Sequence, residues 1–284
     1  YQPVSVNGCI HPYYSLRRVW RAQSLVSPSL NLPAWVEGPF TRKYSFAIVP
    51  DQKISAANIF TIHRDNYEGT EFDLTRGPAS GPFGNPNRFE GQAEGMADKE
   101  GRLTPLKGEF ERPLNIYRCV YAYVNQTRSW LPDAIGGITW YGPDRPATAV
   151  LIPYYVGTTD LPEAIQTANI LKFDKKSIWT AFSFVANYAM LKYSYMIKDI
   201  HSLRDDFEAT AFGRQQKIEK QAKKLWDKGD QTGARRFLTK YSEDYTNKVL
   251  SDWWQLSESL YVKYNDGYLN TSSGVAQAVF YPAW

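Results

Sequence analysis

Apolar positions along the chain follow two rhythms. In the first half they alternate or come in short runs broken by Gly and Pro. Within Lys43–Val49, Tyr44, Phe46 and Ile48 would share one face of a strand. From Asn115 to Gln126 the residues Ile116, Arg118, Val120, Ala122 and Val124 alternate with Tyr117, Cys119, Tyr121 and Tyr123. A strand apolar or aromatic on both faces predicts a central position, covered on both sides. Gly137–Tyr141 and Ala147–Val156 predict two further strands joined as a hairpin through Gly142-Pro-Asp-Arg-Pro146. Ser55 is placed to cap a short helix carrying Ile59 and Phe60 and ending before Asn66. Residues 75–113 read as a long loop, of the kind that is functional or wraps a neighbour.

The rhythm changes near Pro162. Apolar residues recur at helical spacing, predicting helices over 176–203, 205–228 and 243–264, with Trp179, Phe182, Val185, Val249, Trp253 and Leu256 buried. Gly229 is a natural stop for the second helix. The pattern predicts an α+β chain with a β-rich part over 1–160 and a mainly helical region over 161–284 packing on it.

Composition narrows the function classes. Hydrophobic residues make up 43% and charged residues 22%, which excludes disorder, collagen and a pure coiled coil. A net charge of +4 spread along the chain gives no reason to expect nucleic acid. The longest uncharged apolar-rich run, Ser177–Leu191, falls short of the roughly 20 residues a membrane span requires, so no membrane partner is expected. Nine Trp, 20 Tyr and 14 Phe instead suggest large packed surfaces, or platforms for sugars or peptides. Cys9 and Cys119 allow one disulfide, although two buried thiols are favoured. His11, His63 and His201 lie too far apart in sequence for a metal-ligand spacing, and neither a phosphate loop, a dinucleotide fingerprint nor a Gly-x-Ser-x-Gly elbow is present. No metal or other cofactor is expected.

The densest chemical signal is Arg64–Thr75, where Asp65, Glu68, Glu71 and Asp73 fall within nine positions, followed by Gly81-Pro-Phe-Gly-Asn-Pro86 and Arg88. Taken alone it fits a solvated loop with Asx turns, a cation-binding loop, or a pocket wall for an ammonium group. Tyr67-Glu-Gly-Thr-Glu-Phe-Asp-Leu-Thr75 with the Gly-Pro-Phe-Gly-Asn-Pro run resembles the PepD-like dipeptidases, cysteine peptidases of the N-terminal-nucleophile class to which the secernins are related. Supporting pieces are Arg17-Arg-Val-Trp-Arg21, Gln126-Thr-Arg-Ser-Trp-Leu-Pro-Asp-Ala-Ile-Gly-Gly137, Pro153-Tyr-Tyr155 and Tyr264-Asn-Asp-Gly-Tyr268.

The resemblance implies a share of an αββα sandwich with an added C-terminal helical layer. It also implies hydrolysis of dipeptides or short peptides through a thioester on a Cys that begins the mature chain. Tyr1 stands first here, and Cys9 in Asn7-Gly-Cys-Ile-His11 has the wrong surroundings for that role. The chain is therefore expected to be a C-terminal portion partnered by an N-terminal segment of the same protein. It should contain no catalytic residue and lack activity by itself; a homo-oligomer is possible. A zwitterionic substrate gives roles to Glu68, Glu71 and Asp73, for its ammonium, and to Arg118 and Arg128, for its carboxylate. Arg118, among Ile116, Val120 and Ala122, would be partly desolvated and in need of an anion, and is expected to share a cleft with the acidic loop. The alternatives are a non-catalytic peptide- or carbohydrate-binding module, or a secernin-like protein without peptidase activity.

Overall fold

The structure is a computed structural model that describes residues 13–34, 44–87, 112–277 and 279. The described residues up to Tyr117 form one compact unit and those within Arg118–Pro282 a second. Both helices and small antiparallel sheets occur, so the chain is α+β.

In the first unit, α1 (Tyr13–Val26) and α2 (Ala56–His63) flank irregular chain. The Ser55 cap is borne out. Its hydroxyl accepts from the Asn58 amide and the Asn58 side chain answers to the Ser55 amide, closing both ends of a capping box. The core gathers Leu16 and Trp20 of α1 with Tyr44, Tyr67 and Leu74. The strand expected at 43–49 does not form over its described residues 44–49. Tyr44 is buried, but Phe46 and Val49 are exposed. Side chains replace a partner strand there: Gln23 Nε2 donates to the Ser45 carbonyl at 2.7 Å and Ser27 Oγ to that of Val49 at 2.7 Å. Of the long loop, residues 75–87 are turns around a single 3₁₀ turn, Pro78–Ser80. Residues 88–111, like Cys9 and His11, lie outside the described residues.

In the second unit, β1 (Tyr121–Thr127), β2 (Gly137–Pro143) and β3 (Ile152–Tyr155) form an antiparallel sheet in that order. Val124 pairs with Trp140, and Trp140 with Pro153. The expected central strand is corrected on two counts. β1 begins at Tyr121 rather than Asn115, and it stands at the sheet edge among the described residues. Ala122 and Val124 face the core, whereas Tyr121 and Tyr123 are half exposed. Aromatic rings stacked along an open face, Tyr121 on Tyr141 at 5.7 Å, look in sequence like a second buried face. The strand expected from Ala147 shortens to β3, because Pro146–Thr148 turns as 3₁₀ and Ala149–Leu151 crosses the core fully buried.

Two very short helices, α3 (Asp133–Gly136) and α4 (Glu163–Gln166), punctuate the sheet and its exit. Then α5 (Ile178–Ala189) starts at the cap Ser177. A 3₁₀ turn, Met190–Lys192, separates it from α6 (Tyr193–Asp227), and α7 (Gln231–Tyr264) returns antiparallel to α6. The three predicted helices are thus present with shifted bounds. The break falls at 190–192 instead of 204, and α7 begins twelve residues before Glu243. Gly229 at φ +85° ends the hairpin's first arm, and Asp230 caps the second through the Gly233 amide. Phe182, Val185, Val249 and Trp253 are fully buried, while Trp179 and Leu256 are half-buried. The sheet docks on the hairpin through polar contacts as well. Ser242 Oγ donates to the Pro153 carbonyl, Tyr154 and Thr246 share a hydroxyl bond of 2.7 Å, and Glu208 accepts the Leu151 amide at 2.8 Å. A two-stranded ribbon, β4 (Tyr268–Thr271) with β5 (Gly274–Gln277), follows α7. No described helix is long and apolar enough to cross a membrane.

Candidate functional site

The acidic loop is built from α1 upward. Arg17, Trp20 and Arg21 share one face of α1 because positions three and four apart are neighbours on a helix. Trp20 Nε1 donates to the Leu32 carbonyl at 3.0 Å. Arg17 is fully buried, with its guanidinium 3.4 Å from the Phe72 ring centre and a hydrogen bond to the Ala34 carbonyl. Arg21 grips Asp65 with a two-pronged fork, Nε to Oδ1 at 2.8 Å and Nη2 to Oδ2 at 2.6 Å. The same Nη2 donates to the Glu68 carbonyl at 2.8 Å. One helix residue therefore fixes both the start and the turn of the loop, with charge-assisted bonds.

The loop then closes on itself. Tyr67 has φ +65°, a costly value for a bulky residue, and is fully buried. Its amide donates to Asp65 Oδ1 at 2.9 Å and its hydroxyl to the Arg112 carbonyl at 2.5 Å. Asp73 Oδ1 accepts the Thr75 amide at 2.9 Å and hydroxyl at 2.6 Å, while Oδ2 accepts the Gly69 amide and pairs with Arg76 at 3.3 Å. Asn66, buried, donates its amide and its Nδ2 to the two Glu68 oxygens at 2.6 and 2.9 Å, and accepts from Asn115 at 3.0 Å. Both Asx turns, at Asp65 and Asp73, belong to the bland reading of this stretch. What that reading does not supply is the display: Glu68 and Glu71 are exposed on a backbone pinned from below.

The candidate residues thus divide. Glu68, Glu71 and Asp73 are brought into one loop, with Asp73 turned inward and spent on it. Arg118 is exposed in a turn ahead of β1. The expected desolvation of its guanidinium by an apolar strand face does not occur, since Val120 beside it is 69% exposed. Arg128 lies at the end of β1, buried, and its guanidinium is engaged three times: with Gly136 O at 3.0 Å, Ile135 O at 3.1 Å and the Glu219 carboxylate of α6. It ties the last carbonyls of α3 to the hairpin. Tyr155 reaches the same carboxylate, and burial raises its hydroxyl pKa well above the ordinary range. Sequence reading missed Arg21, Asn66 and Asn115 as the loop's supports. Arg21 carried a signal, the Arg17–Arg21 run, but its partner stands 44 positions away.

Among the described residues no three His, Cys, Asp or Glu side chains are grouped to hold a metal ion. Cys119 is a half-buried free thiol. Burial raises its pKa, and it donates to the Tyr121 carbonyl at 3.1 Å. A raised pKa keeps it as thiol at neutral pH, the opposite of what a nucleophile needs.

The pattern of peptidase family C69 matches residues 10–206, which include the acidic loop, its α1 clamp and the three-stranded sheet. A probable dipeptidase of Salmonella dublin is 27% identical over 144 residues, 51% of this chain and 26% of that protein. A probable dipeptidase of Latilactobacillus sakei is 24% identical over 152 residues, 53% of this chain and 26% of that protein. The matched segment thus spans about a quarter of the length of these curated relatives.

Proposed function

Because the chain belongs to peptidase family C69, we propose that it is part of a dipeptidase and that its acidic loop recognises the substrate's free ammonium group. The observation that carries this reading is the Arg21–Asp65 clamp under the loop. It neutralises the innermost carboxylate and leaves Glu68 and Glu71 exposed on a fixed backbone. A dipeptide differs from an internal peptide bond by its terminal charges, so a peptidase that selects dipeptides must bind them. An ammonium held by two carboxylates satisfies half of that demand. Arg128, buried on Glu219, is assigned to positioning and not to the substrate's carboxylate.

The proposed chemistry is acyl transfer. A thiolate attacks the peptide carbonyl, the amine product leaves with a proton, and water cleaves the resulting thioester. Cys119 does not suit that role, because its pKa is raised. The nucleophile is assigned to an N-terminal Cys outside this sequence, within an αββα sandwich completed by the rest of the protein. The test is hydrolysis of a dipeptide panel by the full-length protein, with and without thiol alkylation, alongside Cys119→Ala. Activity lost on alkylation and kept in Cys119→Ala supports the assignment. Activity that survives alkylation, or that vanishes in Cys119→Ala with the fold intact, overturns it.

A further inference from the structure

The outer face of the α6–α7 hairpin carries an open groove of about 480 Å³ that continues into a second of about 600 Å³. Leu203, Phe207 and Tyr241 form its floor, and its rims are charged. The groove lies almost wholly beyond residue 206, where the family match ends. Nothing in the proposed peptidase chemistry uses it.

The rim charges are balanced and ordered. On α6, Asp206 and Arg214 stand four residues either side of Thr210, about 6 Å along the axis in each direction. On α7, Asp244 and Lys248 flank the level of Thr246 by two residues, and Lys240 and Asp252 flank it by six. The two centres stand within about one turn of each other along the hairpin. Tyr245 donates to the Phe207 carbonyl, and the Lys248 amine sits 6.0 Å above the Phe207 ring. A two-fold axis crossing the hairpin at this level lays α6 antiparallel on α6 and α7 on α7 of a second copy. Asp206 then meets Arg214, Asp244 meets Lys248, and Lys240 meets Asp252, so these six rim charges face their opposites, while Asp230 and Arg236 lie nearer the turn, outside the pairing. The same operation brings Gly213 of one copy to the axial level of Phe207 of the other. Gly213 is an exposed glycine inside a helix with open space around its Cα. Such a glycine costs roughly 1 kcal/mol against alanine; among the described residues none packs where its Cβ would stand, and a close approach of two helices would compensate that cost.

We infer that the α6–α7 face is the dimerisation surface of this chain, forming an antiparallel four-helix bundle with a second copy. A partner of one net sign gains little from rims that cancel, whereas the order of signs fits its own two-fold image. The cis pairs Lys240–Asp244 and Lys248–Asp252 are exposed i,i+4 contacts and exchange partners at little cost.

Charge exchange on α6 tests the inference. Asp206→Arg and Arg214→Asp each place like charges across the axis twice, so each variant should dimerise at least roughly tenfold more weakly than wild type. An equimolar mixture pairs Arg with Arg214's replacement Asp on one side and the native pair on the other, and should recover the wild-type dimer. Light scattering at tens of micromolar and native mass spectrometry read both. A monomeric wild type, singles that dimerise like wild type, or a mixture that stays monomeric overturns the inference. Thr210→Cys, in a chain with Cys9→Ser and Cys119→Ser, supplies a second measurement that perturbs no charge. Thr210 lies on the axis, so mild oxidation should give a covalent dimer, and its absence counts against this face.

Discussion

Asp144 is held in the left-handed region, φ +66°, and is 5% exposed, with one carboxylate oxygen buried without a hydrogen-bond partner. Burial raises its pKa from 3.8 to about 6, against the opposing pull of Arg145 at 3.9 Å. As pH rises from about 4 to about 6 the unfolded chain releases this proton first. The folded state then holds more protons, so this group's contribution to stability falls across that window and is flat above it. The loss is about 3 kcal/mol at most. Asp144→Asn keeps a residue that tolerates positive φ and removes the penalty. Its unfolding free energy at pH 7 should exceed that of wild type, with the gap closing toward pH 4. Denaturant titrations at the two pH values check this. Arg128 behaves oppositely. Arg128→Met strands the Glu219 carboxylate and removes the guanidinium from the Ile135 carbonyl, and should cost roughly 3–5 kcal/mol. Adding Glu219→Met should restore only part of this, since the Ile135 carbonyl still loses the guanidinium, whereas the Gly136 carbonyl keeps the backbone amide of residue 128.

At the scale of elements, local signals were legible and long-range substitutes for them were not. Ser55, Gly229, and the helical recurrence that includes Phe182 and Val185 each act within a few positions, and each is where sequence placed it. The first arm of α7 went unread because its apolar stripe is narrow: Ala234 and Leu238 are its buried apolar residues, amid Arg235, Arg236 and Lys240. Residues 44–49 alternate like a strand, yet Gln23 and Ser27 take the carbonyls that a neighbouring strand would have used. Arg118 was misplaced for a related reason. Alternation of Ile116 and Val120 continued the β1 pattern past the point where pairing ends at Tyr121 with Pro143. Of the candidate site, the acidic loop was visible as composition, whereas its clamp, Arg21 on Asp65, joins two helically and irregularly folded segments that no periodicity links. Where α5 meets α7, Phe182 packs edge-on against Trp253 at 4.9 Å and is fully buried. Phe182→Ala should therefore cost roughly 3–5 kcal/mol, measured as a shift in the denaturant midpoint with the slope unchanged.

For the whole molecule, the central proposal is that the ordered acidic loop binds the free ammonium of a substrate. Steady-state kinetics of the full-length protein test that proposal directly, comparing a dipeptide with its N-acetylated form in wild type and in Glu68→Gln/Glu71→Gln. Wild type should strongly prefer the free amine. The double variant should raise KM for the free dipeptide by roughly tenfold or more with kcat little changed, the signature of lost ground-state binding, and should discriminate far less between the two substrates. Equal hydrolysis of both substrates by wild type, or an unaltered preference in the double variant, would contradict the account.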